Sequence, residues 1–165
     1  LSKPAEILDQ LTDIVMETFE ADGTGVKDGM DIALCSIDKE SGLVEFAGAN
    51  NPLWILKGNS TNTEDVIEIK GDKQPVGAYE HRKPFTNHSI QLDKGDAFYL
   101  FTDGFADQFG GERGKKFKYK PFRELIAKNS NLPMEQQRTN LDFSFEKWRG
   151  EFEQVDDICL IGIRI

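Results

Sequence analysis

No apolar run in this 165-residue chain approaches the roughly 20 residues that a membrane helix needs, and no secretory leader is visible. Direct membrane contact by this piece is therefore not expected, and an anchor in any parent protein would lie outside it. Cysteine is almost missing. Cys35 and Cys159 are the two present, and both fall inside apolar strand patterns, where a small reduced thiol packs as a core residue. That pattern predicts no disulfide and a reducing, cytoplasmic setting. Histidine is equally scarce: His81 and His88 are the two ring bases, and His88 alternates with Asn87 and Ser89 as a half-exposed strand residue would, so neither is assigned as a general acid. Positive charge is in deficit, with 20 Lys and Arg against 29 Asp and Glu for a net charge of -9. A general nucleic-acid binder is excluded on that ground, because phosphate backbones are held by clustered positive charge. Proteins or cations are the expected partners. Repeats, low-complexity tracts and linkers are also lacking, and 38% hydrophobic residues over this length suffice for one core, so residues 1–165 are read as a single domain.

What is present reads first as a helix and then as strands. Ile7, Leu8, Leu11, Ile14, Val15 and Phe19 recur at three- and four-residue steps, with Ser2 as cap and Pro4 in the first turn. The stretch 21–25 breaks the helix. Residues 32–37, 43–49, 53–57, 66–70, 85–92 and 97–102 read as strands separated by Gly, Asn, Asp and Ser clusters, with 93–96 as a hairpin turn between the last two. Residues 121–128 and 134–148 return to helical spacing, and 158–165 form a final strand. The pattern predicts an α+β domain built on antiparallel strands.

The chemistry concentrates at two strand ends. In YLFTDGFADQFGG, residues 99–111, an apolar strand delivers Asp103 straight into a turn at Gly104. A carboxylate there is held by the sheet behind it and presented in front, which suits a hard divalent cation. Gln154-Val155-Asp156-Asp157 precedes the second apolar strand in the same manner. Taken singly, each is also what a solvated turn looks like.

Together with FAGANNPLW at 46–54 and DGMDIALCSID at 28–38, the segments GDAFYLFTDGFADQFGG at 95–111 and QVDDICLIGIRI at 154–165 resemble, in order, the metal-dependent phosphatases of the protein phosphatase 2C class, and more narrowly their bacterial SpoIIE branch. The resemblance implies a sandwich of two antiparallel β-sheets flanked by helices. It implies hydrolysis of phosphoserine or phosphothreonine by water activated between two Mn2+ or Mg2+ ions. By motif position Asp103 and Asp156 become metal ligands and catalytic residues. Gly104 shapes the turn, and Asp157 is placed beside the metal as a hydrogen-bonding residue, since successive strand residues face opposite sides. The family carries a further upstream segment, usually Asp-Cys-Thr-Gly-His-Gly, whose aspartate bridges the two ions. These 165 residues contain no such segment, so the piece is expected to be the later part of a catalytic domain, impaired on its own. The resemblance also implies a phosphorylated protein substrate, such as an anti-sigma-factor antagonist, and an upstream sensor domain in the parent chain.

Three further features are candidates rather than ligands. Asp31 stands at the entrance to a strand that could border the same cleft, and a solvated strand start is the competing reading. Asp107 falls one helical turn past Asp103 if a helix begins at Gly104, on a helix surface. The basic run Arg113, Lys115, Lys116, Lys118, Lys120 and Arg123 is either a solvated loop or a substrate-attracting rim, with Lys115 and Lys116 as substrate-binding candidates. A catalytically inactive module that keeps the phosphatase fold for binding is the alternative function, and an unrelated metal-binding or interaction domain is the third reading. The third would require Asp103 and Asp156 to lie far apart in the folded chain.

Overall fold

A computed structural model of the chain describes residues 3–21, 29–58 and 60–165, with the side chains of residues 20 and 21 left undescribed. Ser2, the expected helix break at 22–25 and Asp28 lie outside the described residues. In chain order the elements are α1 (Pro4–Ala21), β1 (Gly29–Met30), β2 (Ile32–Asp38), β3 (Leu43–Ala49), β4 (Leu53–Leu56), a short 3-10 turn (Thr63–Asp65), β5 (Ile67–Ile69), β6 (Val76–Gly77), β7 (His88–Gln91) and β8 (Ala97–Phe101). They continue with α2 (Gly104–Asp107), β9 (Phe109–Gly110), β10 (Lys115–Lys116), α3 (Tyr119–Asn129), α4 (Met134–Arg149) and β11 (Leu160–Arg164). The class is α+β, with antiparallel sheet pairings flanked by helices. The chain forms two compact units, Leu1–Leu53 with Ile69–Leu92, and Trp54–Glu68 with Asp93–Ile165.

The first unit is a three-stranded antiparallel sheet in the order β2-β3-β7, with β1 and β6 paired separately. A four-residue turn joins β2 to β3. The Asp38 carboxylate accepts the Glu40 N–H at 2.9 Å and the Ser41 N–H at 3.3 Å, which holds its pKa below the ordinary value, and Gly42 takes the left-handed φ of 74° that closes the turn. Helix α1 buries Ala5 and Leu8 against Ala47, Ala49, Val76 and Phe85. Its apolar face is narrower than the spacing suggested: Ile7 and Ile14 are 41% and 59% exposed, while Thr12 takes a buried position by donating its hydroxyl to the Leu8 carbonyl.

The second unit is a sheet in the order β11-β8-β4-β5, with β8 and β11 antiparallel from Ala97 opposite Arg164 to Phe101 opposite Leu160. All four residues of β4 are buried. Trp54, Tyr99 and Phe101 from the sheet form one cluster with Phe105, Phe122, Ile126, Leu141 and Phe145 from the helices. Its rings meet edge-on or offset, Trp54 against Phe101 at 4.5 Å and Phe105 against Phe122 at 4.5 Å between centroids. Complete burial of a side chain such as Phe122 stabilises the unit by about 2–3 kcal/mol. The Trp54 indole N–H donates to Glu68, whose carboxylate is also paired with Arg123.

Two expectations need correcting. Residues 93–96 do close a turn, with the Asp96 N–H on the Asp93 carbonyl at 3.0 Å, yet β7 joins the sheet of the first unit and β8 that of the second, so the pair is not a hairpin. Cys159 is exposed just before β11 rather than packed in a core, while Cys35 is half-buried in β2.

Candidate functional site

Strand β8 ends at Phe101, and the next six residues build the site. Thr102 continues the pairing with the last strand, since its N–H donates to the Cys159 carbonyl at 3.0 Å. Its hydroxyl donates to the Asp157 carbonyl at 2.9 Å and accepts the Cys159 N–H at 3.0 Å. One threonine side chain therefore clamps the β8 end onto the Asp156-Asp157 segment. Gly104 lets the backbones approach: a Cβ there would stand 2.5 Å from the Asp157 carbonyl oxygen and 3.1 Å from its carbon. Any other residue would force the two segments apart. Asp103 and Asp156-Asp157, 53 residues apart in sequence, thus occupy neighbouring strand ends within one unit.

Asp103, Asp156 and Asp157 are all exposed. Asp103 stands at the N-cap of the short α2 without making a side-chain cap hydrogen bond. Asp156 is shaped by its own neighbours: its Oδ1 accepts the Asp157 N–H at 2.7 Å, and the Gln154 side-chain amide donates to its carbonyl at 2.9 Å. Asp157 is the residue whose carbonyl Thr102 holds.

The donors are hard carboxylate oxygens, which fit Mn2+ or Mg2+ better than a soft, thiolate-seeking metal. Among the described residues no group of three or more His, Cys, Asp or Glu is gathered at metal-binding reach. The carboxylates therefore fit as part of a coordination shell, of the kind that such ions complete with water and further oxygen donors.

Behind the acids lies a support that the sequence did not reveal. Gln108, at the C-cap of α2, is fully buried, and its Nε2 donates to the carbonyls of Phe109 at 2.9 Å and Glu153 at 2.8 Å. It ties the segment after Asp103 to the segment before Asp156. The Gln108 carbonyl accepts the Trp148 indole N–H at 3.0 Å. Gly110 and Gly111 close over the same tryptophan: a Cβ at Gly110 would meet the Trp148 carbonyl oxygen at 2.0 Å, and one at Gly111, whose φ is 66°, would meet the indole ring at 2.8 Å. The glycines of the DQFGG segment are thus packing requirements.

The remaining candidates are dispersed. Asp107 is at the end of α2, its N–H on the Asp103 carbonyl at 2.9 Å, and its carboxylate pairs with Lys116 at 2.8 Å. Lys115 is exposed on β10, which pairs with β9. Asp31 belongs to the first unit, where Asn50 donates to its carboxylate at 2.7 Å from a left-handed φ of 59°. His88 is half-buried in β7 and stacks on Phe46 at 6.0 Å. A groove of about 670 Å3 lies between α4 and β11, with Tyr99, Phe105, Leu141, Phe145 and Leu160 in its lining. It includes none of Asp103, Asp156 and Asp157, so it is not where the carboxylate chemistry sits.

The family model of stage II sporulation protein E (SpoIIE) matches residues 1–165. Among solved structures, the chain superposes on the SiaA-PP2C domain of Pseudomonas aeruginosa with a TM-score of 0.85 and 29% identity, covering 99% of this chain and 61% of that one. It resembles the RsbU and RsbW domains of Rv1364c from Mycobacterium tuberculosis (TM-score 0.66, 18% identity, 90% of this chain and 39% of that one). It resembles the phosphatase domain of SpoIIE from Bacillus subtilis in the same way (TM-score 0.60, 16% identity, 100% and 74%). The last two likenesses are of fold. No curated protein sequence matches significantly.

Proposed function

Because the chain belongs to the SpoIIE family of phosphatase-fold proteins, we propose that it is the carboxylate-bearing part of a metal-dependent phosphoprotein phosphatase, acting on phosphoserine or phosphothreonine in a bacterial signalling protein. The observation that carries this reading is the joining of the two acidic strand ends through Thr102 and Gly104. Two segments held at that spacing by backbone and hydroxyl hydrogen bonds present carboxylates from a rigid base, which a hard cation requires. Asp103 and Asp156 would hold the ion, and Asp157 stands beside them with its carbonyl fixed. Bound divalent ions supply an activated water and neutralise the charge on a phosphoryl group. Among the described residues no Lys or Arg bridges to Asp156 or Asp157, which keeps those two carboxylates open to a cation.

The test is Mn2+-dependent phosphate release from a phosphoserine peptide by the full-length protein, with Asp103→Asn run beside it. Release that the substitution abolishes supports the reading. A folded protein inactive in both forms would replace it with the binding module. The proposed substrate is a cytoplasmic phosphoprotein such as an anti-sigma-factor antagonist, and a sensor domain upstream in the parent chain is proposed to control the phosphatase; the chain spans 61% of the SiaA domain's length.

A further inference from the structure

Residues 113–123 hold six of the chain's 20 basic residues and none of its 29 acidic ones. Two of the six are already neutralised: Lys116 pairs with Asp107, and Arg123 pairs with Glu68 while lying 4.9 Å over the Trp54 ring. Arg113, Lys115, Lys118 and Lys120 are exposed and have no ion pair among the described residues. The run is also pinned beside the acidic turn. The Phe117 N–H donates to the Gln108 carbonyl at 2.9 Å and the Lys118 N–H to the Ala106 carbonyl at 2.7 Å. Ala106 is the third residue after Asp103, so at helical rise the backbone of Lys118 lies on the order of 10 Å from that aspartate.

Lys118 itself is held at φ 77° and ψ 156°, a region that glycine occupies and other residues avoid. Glycine would relieve the backbone there, yet a cationic side chain stands at the position. Strain of this kind points to a use for the side chain.

We propose that Lys118, with Lys115 and Lys120 beside it, docks an acidic stretch of the phosphoprotein substrate next to the Asp103 turn; this rests on the phosphatase reading. The strip attracts carboxylates flanking the phosphorylated residue, while the acidic remainder of the chain repels them elsewhere. Lys116 pairs with Asp107 and so fastens β10 to α2, and it is left outside the three-lysine strip.

The experiment uses the full-length protein and two fluorescent peptides, each with one phosphoserine, flanked in one by glutamates and in the other by glutamines. Binding is read by anisotropy without metal, hydrolysis with Mn2+, and p-nitrophenyl phosphate serves as a small substrate. Lys118→Gly is expected to leave Tm unchanged or higher and to weaken binding of the glutamate peptide about threefold, in line with one exposed ion pair. Neutralisation of Lys115, Lys118 and Lys120 together to Gln is expected to weaken it about tenfold or more, and to weaken binding of the glutamine peptide and hydrolysis of p-nitrophenyl phosphate by a clearly smaller factor. Equal binding of both peptides by the parent, or unchanged affinity in the triple variant, overturns the proposal. So does a lower Tm in Lys118→Gly with affinity retained, which would make Lys118 a residue of the fold. Loss of hydrolysis throughout, with the binding differences intact, would defeat the phosphatase reading and leave the docking strip standing.

Discussion

The two ends of β8 each carry an aspartate, and the fold treats them in opposite ways. Asp96, before the strand, is only 3% exposed; its carboxylate accepts the N–H groups of Gly58 at 2.7 Å and Asp93 at 2.9 Å and pairs with Lys57 at 2.7 Å. Burial pushes its pKa up, but those hydrogen bonds and the Lys57 charge prevail and hold it below the ordinary carboxylate value. Asp103, after the strand, is exposed, and the turn it opens adjoins the segment that carries the exposed Asp156 and Asp157. One end of the strand spends its acid on stability and the other presents its acid to solvent. A single strand thus separates a structural aspartate from the proposed metal ligand by seven residues.

That contrast can be broken by substitution. Asp103→Asn should leave the protein folded yet lower phosphatase activity of the full-length protein about a thousandfold or more. Asp96→Ala should do the reverse. It removes the acceptor of the Gly58 and Asp93 N–H groups and the nearer carboxylate of Lys57, and urea unfolding should show a loss of about 1–2 kcal/mol with catalysis intact in the folded fraction. Gly104→Ala mixes the two effects, because its Cβ must push Asp157 away: a loss of about 1–3 kcal/mol from overpacking and a Mn2+ affinity about tenfold weaker are expected in titrations.

Acid titration sharpens the same comparison. A carboxylate whose folded pKa is depressed stabilises the fold fully above its unfolded pKa, and that stability disappears as the pH falls through the folded value. Asp96 therefore contributes above the ordinary value of 3.8 and progressively less below it. Asp96→Asn should flatten the fall in unfolding free energy below about pH 4. The smallest effect concerns the thiols. Burial pushes the Cys35 thiol up to about 12, and Cys159 is exposed, so a thiol reagent at pH 8 should label Cys159 first and Cys35 only on unfolding.

The α+β class and most long elements were legible because their signals are local. Apolar alternation marked β2, β3 and β8, and helical spacing marked α3 and α4. Asp103 and Asp156-Asp157 were legible as acids at strand ends. Pairing was not. The turns at 50–52 and 93–96 have ordinary turn chemistry, and only tertiary structure decides that each passes the chain from one sheet to the other. Two-residue strands such as β1, β6, β9 and β10 have no periodicity to read. Gln108 carried no signal either, because a polar residue in a polar segment predicts exposure, and its burial depends on Glu153, 45 residues away. Lys116 looked like its neighbours until Asp107 was seen to hold it.

The central claim is that Asp103 and Asp156 work as one unit because Thr102 and Gly104 lock their strand ends together. A double-mutant cycle in kcat/KM on a phosphoserine peptide, with Asp103→Asn, Asp156→Asn and the pair in the full-length protein, tests this most directly. Each single variant should lose nearly all activity and the double variant should be no slower than either. Losses that multiply would show two acids acting independently and would contradict the shared site.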